Sequence, residues 1–180
     1  MSKKILRVMT ISVLLLSTYL PACDRLAPGI GENDEAAIYA AVARQLYTVD
    51  HTFGDHPPNW PIVYLLRATD DRAGDWRATP KSRQLSESVQ KDIVATLDDL
   101  PAEFVWIDDR SEVIDESIMA VKGGGALVTL GNTYLQKDGS VEVPASIYFA
   151  SLGAGGTTYV VKQVGGVWQI TGRTGVSWMS

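Results

Sequence analysis

The sequence predicts a single α+β domain over residues 34–180, with N-terminal helices packed on a curved antiparallel sheet that ends in a four-strand meander. Three observations predict it. Apolar residues recur at helical spacing twice in the first half, at Ile38, Val42, Leu46 and Val49 and again at Val89, Ile93, Leu97 and Leu100. Twelve of the 16 glycines lie beyond residue 117, where β-rich runs alternate with Gly-bearing turns. A chain of 180 residues is also long enough for a self-sufficient core, with roughly 68–70% of its surface buried on folding.

The chain opens differently. Lys3, Lys4 and Arg7 form a positive start, and Val8 to Leu20 is an uncharged, mostly apolar run. That run is too short to cross a hydrocarbon core, which needs about 20 residues, and it fits a secretory leader. Cleavage before Cys23 places Leu20 at −3 and Ala22 at −1, and Leu at −3 is wrong for ordinary leader removal. Leu20-Pro21-Ala22-Cys23 instead resembles the lipobox of bacterial lipoproteins, with Pro21 standing where a small residue is usual. The resemblance implies that residues 1–22 are a lipoprotein signal peptide and that Cys23 becomes the diacylated mature N-terminus. Two acyl chains hold a domain stably at a membrane surface. The protein is therefore expected to be lipid-anchored to the bacterial cell membrane, facing outside the cytoplasm. Asp24 resembles the inner-membrane retention signal of enteric bacteria, a lineage-specific rule that leaves inner against outer membrane open.

Charge sharpens the exclusions. The whole chain carries −5, and removal of residues 1–22 leaves 13 basic against 21 acidic residues, a net −8. Residues 87–116 alone hold two basic and ten acidic residues. Such a balance excludes a nucleic-acid binder, which needs clustered Lys and Arg for phosphates. A single Cys excludes a disulfide scaffold or a zinc knuckle.

Residues 23–33 read as a lipidated tether, rich in Gly and Pro. Asn33 or Asp34 offers an N-cap for a helix running to about Asp50. His51 to Trp60 is a loop, because Gly54, Pro57 and Pro58 oppose a helix. Pro61 opens a strand over 62–69, ended by Asp70, Asp71 and Gly74. The second helix spans about Ser86 to Leu97 and is stopped by Pro101. Phe104 to Ile107 is a short strand before an acidic stretch to Glu116. Strands are then expected over 126–135, 141–152 and 157–164, with Gly153-Ala154-Gly155-Gly156 as a turn. Gly165-Gly166 is a two-residue hairpin loop, which pairs Val164 with Val167, Lys162 with Gln169 and Val161 with Ile170. Helices followed by a long antiparallel sheet resemble the cystatin-like and nuclear-transport-factor-two-like cone folds. The resemblance implies a concave sheet face that holds a pocket, and it carries no activity with it.

Chemistry is sparsely signalled. The glycine clusters precede no helix and lack the Walker ending, so they are not phosphate loops. His51 and His56, flanked by Asp50 and Asp55, have the donor types of a divalent-metal site, although a Pro-rich loop favours solvated imidazoles. The acidic series Asp98, Asp99, Glu103, Asp108, Asp109, Glu112, Asp115 and Glu116 has the residue type of glycosidase carboxylates or a calcium site, without the order of an EF-hand. It reads as a solvated acidic face. There is no Gly-x-Ser-x-Gly elbow, and the lone Cys belongs to the anchor. No residue therefore stands out as catalytic, as cofactor-binding or as a committed metal ligand. Trp106 and Trp168 read as core, and Trp178 as closing an edge of it. Trp60 and Trp76 sit in loops, where indoles serve carbohydrate or peptide binding. The expectation is a non-catalytic envelope domain that binds a small molecule, glycan or protein partner through its sheet face or these loops. The alternative is a cell-envelope hydrolase using the acidic residues or a His51/His56 metal site.

Overall fold

The structure, a computed structural model, describes residues 29–52 and 59–180, so the lipobox with Cys23, as well as His56, lies outside the described residues. Among the described residues there are two α-helices and nine strands in one mixed sheet, an α+β architecture.

Helix α1 (Glu32–Thr48) starts two or three residues earlier than the Asn33 or Asp34 cap predicts, with extended Gly31 as N-cap and no capping side chain. Glu32, Asp34 and Glu35 in its first turn complement the helix dipole. Its buried face is broader than the apolar spacing alone suggests, because Tyr39, Tyr47 and three alanines join Ile38, Val42 and Leu46. Val49 lies past the helix end and is exposed. Helix α2 (Glu87–Thr96) is capped by Ser86, and Val89, Ile93 and the C-cap Leu97 are buried.

The first half of the sheet corrects the antiparallel expectation. Strand β1 (Ile62–Leu66) pairs in parallel with β2 (Glu103–Ile107), with Ile62 opposite Glu103 and Leu66 opposite Ile107. Parallel neighbours need a long crossover, and the segment carrying α2 supplies it. On its other side β1 pairs in parallel with β5 (Ala126–Leu130). Short strands β3 (Ile114–Asp115), β4 (Ala120–Val121) and β6 (Tyr134–Leu135) are antiparallel additions, β3 pairing with β4, and β4 and β6 with the long strand β7 (Val141–Ala150).

The second half is antiparallel: β5 pairs with β7 (Val141–Ala150), β7 with β8 (Gly153–Val164) and β8 with β9 (Val167–Met179). The Gly165-Gly166 loop has φ of 60° and 85°, and the register it predicts is the one observed. Two irregularities interrupt β9, one skipping Thr171 in the register and one around Gly175, whose φ is 70°.

Gly153 to Gly156 do not form the expected turn. They are buried strand residues of β8, and the chain reverses one step earlier at Ser151 and Leu152. A Cβ at Gly156 would overlap the Ala73 carbonyl and lie 2.6 Å from Trp178 Nε1, so another backbone approaches where a side chain would stand.

The main core lies between the helices and one sheet face. Ile38, Tyr39 and Leu46 of α1 meet Val63, Leu65, Val128 and Ile147 of the strands, all essentially inaccessible. Each such side chain contributes about 1.5–3 kcal/mol by leaving water.

Candidate functional site: a groove on the outer sheet face

Alternation along the strands divides residues between the two faces. On β5, Ala126, Val128 and Leu130 enter the helix-side core, so Leu127 and Thr129 face outward. On β7, Ala145 and Ile147 go inward, which leaves Ser146 and Tyr148 outward. Register then aligns Thr129 with Ser146, Ser146 with Gly156, and Gly156 with Trp178. One transverse row across four strands thus carries two hydroxyls, a bare backbone and an indole.

Two walls rise from this floor. The first is the turn Asp71–Ala73 with Gly74, held against β7 and β8 so closely that a Cβ on Gly74 would lie 2.7 Å from Thr158 Oγ1 and 2.8 Å from Pro144 Cβ. Trp178 Nε1 donates to the Ala73 carbonyl at 3.1 Å and locks this wall to β9. Trp76 follows on the same segment, 67% exposed, with the Arg77 guanidinium 5.6 Å from its ring centroid.

The second wall is the excursion between β2 and β5. Its apolar residues Val113, Ile114 and Val121 form a small second core with Ile107 of β2 and Leu127 of β5. A 3₁₀ turn, Arg110–Glu112, is fixed by a reciprocal cap. Asp109 accepts from Ser111 N–H at 2.8 Å, and Glu112 accepts from Asp109 N–H at 2.7 Å. The turn presents Arg110 with its guanidinium 5.7 Å from the Tyr148 ring centroid, a cation–π geometry. Tyr148 is itself pinned by its hydroxyl, which donates to the Met119 carbonyl at 2.7 Å.

Between the walls lies a groove of about 370 Å³, lined among others by Arg72, Trp76, Arg110, Thr129, Ser146 and Tyr148. Asp70 and Arg72, also in its lining, neutralise each other: Arg72 Nε donates to Asp70 Oδ1 at 3.0 Å and Nη2 to Oδ2 at 2.7 Å. Burial works to raise the Asp70 pKa, yet the bonds and charge from Arg72 prevail and hold it below its ordinary value. No described residue forms a hydrogen bond or ion pair with the Arg110 guanidinium, and none bonds the hydroxyls of Thr129 and Ser146. The groove therefore presents one guanidinium and two hydroxyls with hydrogen-bonding capacity unspent, beside aromatic surface.

A second cavity, of about 420 Å³, opens on the helix side where α1 ends against β8 and β9. Most of its polar side chains are already paired with one another. Asp50 accepts from Tyr159 Oη at 2.8 Å and Gln45 Nε2 at 3.2 Å through Oδ2, and from Arg173 through Oδ1. Thr157 and Ser177 share a hydroxyl bond of 2.8 Å. Burial, aided by the Asp50 carboxylate, raises the Tyr159 hydroxyl far above the ordinary phenol range. This arrangement fastens the helix end to the last strands.

The residues singled out by sequence scatter. Trp60 is 5% exposed and belongs to the core, edge-on to Tyr47 with centroids 6.0 Å apart and 5.5 Å from Phe149. Trp106 and Trp168 are half-buried against the core, and their indoles donate to Gln90 O at 3.1 Å and Asp34 Oδ1 at 2.8 Å. His51 is 3% exposed, a correction to the solvated imidazole expected of a Pro-rich loop, and desolvation lowers its pKa against the pull of Asp50. Among the described residues no group of three or more His, Cys, Asp or Glu is placed to hold a metal ion. The acidic series is spread over separate local tasks: Asp99 pairs with Arg44, Asp108 with Arg67, Asp109 and Glu112 cap a turn, and Asp115 accepts from Ser117.

Of the groove residues, the sequence singles out Trp76 as a loop indole and Trp178 as closing an edge of the core. Ser146 and Tyr148 are legible in retrospect as the polar partners of an alternating strand, whereas Arg110 looked like one more charge in an acidic run. No known protein family, curated protein or solved structure matches the chain.

Proposed function

We propose that this protein is a lipid-anchored extracytoplasmic binding domain, held at the bacterial membrane through Cys23, which takes a small ligand into the outer-face groove. One observation carries the ligand reading: exposed Trp76 and unpaired Arg110 line the same groove over the open hydroxyls of Thr129 and Ser146. Convergent polar groups with unspent bonding capacity beside aromatic surface are what a ligand site offers. The anchor reading rests on the charged start, the short apolar run and Leu20-Pro21-Ala22-Cys23. No helix of the described residues is long and apolar enough to cross a membrane. The curved, cone-like form of the sheet belongs to the same proposal, supported by α1 lying against the long strands β7 and β9.

Two experiments test the reading. Metabolic labelling with a palmitate analogue is expected to mark the wild type and not Cys23→Ala, and equal labelling overturns the anchor. For the groove, the full chain is screened by thermal shift against a small-molecule panel. Stabilising compounds are expected to lose their effect in Trp76→Ala and to keep it in Val167→Ala, a change at the exposed tip of the β8–β9 hairpin outside the groove lining. Compounds that stabilise Trp76→Ala as well as the wild type overturn the groove as the site.

A further inference from the structure

We infer that the ligand of this groove is a carboxylated sugar, with the carboxylate read by Arg110 and the sugar ring by Trp76 and the hydroxyl row. The inference rests on the groove being the ligand site and adds the ligand's chemical class.

The charge argument comes first. In a protein whose acidic residues outnumber its basic ones, the groove counts two arginines against one aspartate. Asp70 and Arg72 satisfy each other through two parallel contacts, so the guanidinium of the lining left without a hydrogen-bonded carboxylate is Arg110, while Asp109 beside it is occupied as the cap of its turn. Arg110 is one of only two basic residues in the acidic segment 87–116, and it is the one that lines the groove. A guanidinium offers a planar fork that matches a carboxylate bidentately. Its position is prepared, because the Asp109–Glu112 cap fixes the turn below it and the Tyr148 ring supports it from the side. A phosphate monoester carries about −1.5 to −2, more than one unpaired guanidinium compensates next to Asp70. The match is to a single negative charge.

The rest of the lining selects a polyol. Thr129 and Ser146 are cross-strand partners on the outward face, and each hydroxyl both donates and accepts. Trp76 offers an exposed indole for the C–H face of a ring, and Trp178 closes the far end of the row. A fully apolar acid would leave both hydroxyls unpaired as it displaced their water, which penalises that class.

The test uses the full lipidated chain in detergent, with tryptophan fluorescence and calorimetry as readouts. The probes are methyl β-D-glucuronide, methyl β-D-glucoside and glucose 6-phosphate. The glucuronide is expected to bind at least about tenfold more tightly than the glucoside, the scale of one charge-assisted bidentate contact. Arg110→Gln is expected to abolish the preference, bringing the ratio of glucuronide to glucoside affinity to about one. Arg110→Lys is expected to fall between, since it keeps the charge and loses the fork. Trp76→Ala is expected to weaken both glycosides. Melting temperatures of all variants verify folding.

Equal binding of the two glycosides, or discrimination that survives Arg110→Gln, overturns the carboxylate inference; the groove reading then stands if Trp76→Ala still removes binding. Tighter binding of glucose 6-phosphate overturns the choice of carboxylate over phosphate. Failure of all three probes overturns the sugar class and leaves the groove to be judged by the thermal-shift panel.

Discussion

The Trp178 indole donates to the Ala73 carbonyl at 3.1 Å while lying over Gly156, so one hydrogen bond joins the last strand to a turn 105 residues earlier in the chain. Without a side chain at Gly156 the two can meet. Gly156→Ala is therefore expected to separate them and to cost about 1–3 kcal/mol, the range for overpacking a tight site. Trp178→Phe removes only the donor and is expected to cost about 0.5–1.5 kcal/mol. Urea unfolding midpoints at constant slope give both values. A Gly156→Ala variant as stable as wild type contradicts the close approach.

Asp50, Tyr159 and Arg173 form a triangle whose members differ in exposure, with the Asp50 side chain 16% and the Arg173 side chain 49% accessible. Tyr159→Phe deprives a mostly buried carboxylate of a donor and is expected to cost about 1–2 kcal/mol. Arg173→Gln is expected to cost less, under about 1 kcal/mol, because solvent screens the half-exposed guanidinium. A double-mutant cycle measures their coupling through Asp50, and a larger loss from Arg173→Gln reverses the expected order.

Alkali probes the buried tyrosines. Burial raises the hydroxyls of Tyr39 and Tyr159 far above the ordinary phenol value, and burial with the Asp71 bond takes Tyr134 up to about 12. A raised phenol pKa stabilises the fold fully below the unfolded value of about 10, and that stability is lost as pH climbs above it, because the unfolded chain releases its protons first. Phenolate absorbance is expected to show these three ionising late, with Tyr39 and Tyr159 appearing together with loss of the near-ultraviolet circular dichroism. Ionisation of all tyrosines at ordinary pH with the dichroism intact is the contrary result.

Acid probes His51. Its pKa is lowered by desolvation, so the unfolded chain takes up the proton first as pH falls below about 6.5. The contribution of the neutral imidazole is present above that pH and lost below it. Melting temperature is expected to decline between pH 7 and pH 5, and His51→Gln is expected to flatten that part of the curve.

The Gly165-Gly166 turn needs positive φ at both positions. Gly165→Asn is expected to be nearly neutral, since Asn tolerates this conformation in a two-residue hairpin. Gly166→Val, β-branched and strained there, is expected to cost about 1–2 kcal/mol. Thermal melts distinguish the two, and equal effects argue against the turn geometry.

The hairpin was legible because turn chemistry and alternation agree locally: two glycines and the pattern Tyr159, Val161, Trp168, Ile170 admit one register. Helix α2 was legible for the same reason, with Ser86 and Leu97 bounding a clean apolar period. Sheet direction was not. The order of strand, helix and short strand over residues 62–107 carries the signature of a parallel unit, but the antiparallel runs beyond it dominated the expectation. Gly153 to Gly156 misled because two opposite causes produce the same residue: glycine allows a chain to turn, and it also allows another chain to press against it. Trp60 and Trp76 had equivalent loop settings in sequence, and only tertiary packing beside Tyr47 and Phe149 separates the buried indole from the exposed one. The groove was hidden because its row of residues is assembled from four strands and its charge from a turn between two others.

The interruptions in β9 bear on how copies of this protein behave together. Regular pairing with β8 runs over Val167–Ile170, resumes at Gly172–Thr174 and ends at Trp178–Met179. The pairing is thereby divided into stretches of four, three and two residues, with an irregularity between each and the next. A cross-β stack requires about six or seven residues in one flat register, and no stretch of this edge reaches that length. Copies crowded side by side would meet at a broken edge, so a thirteen-residue strand can stay open along its outer side without seeding fibrils.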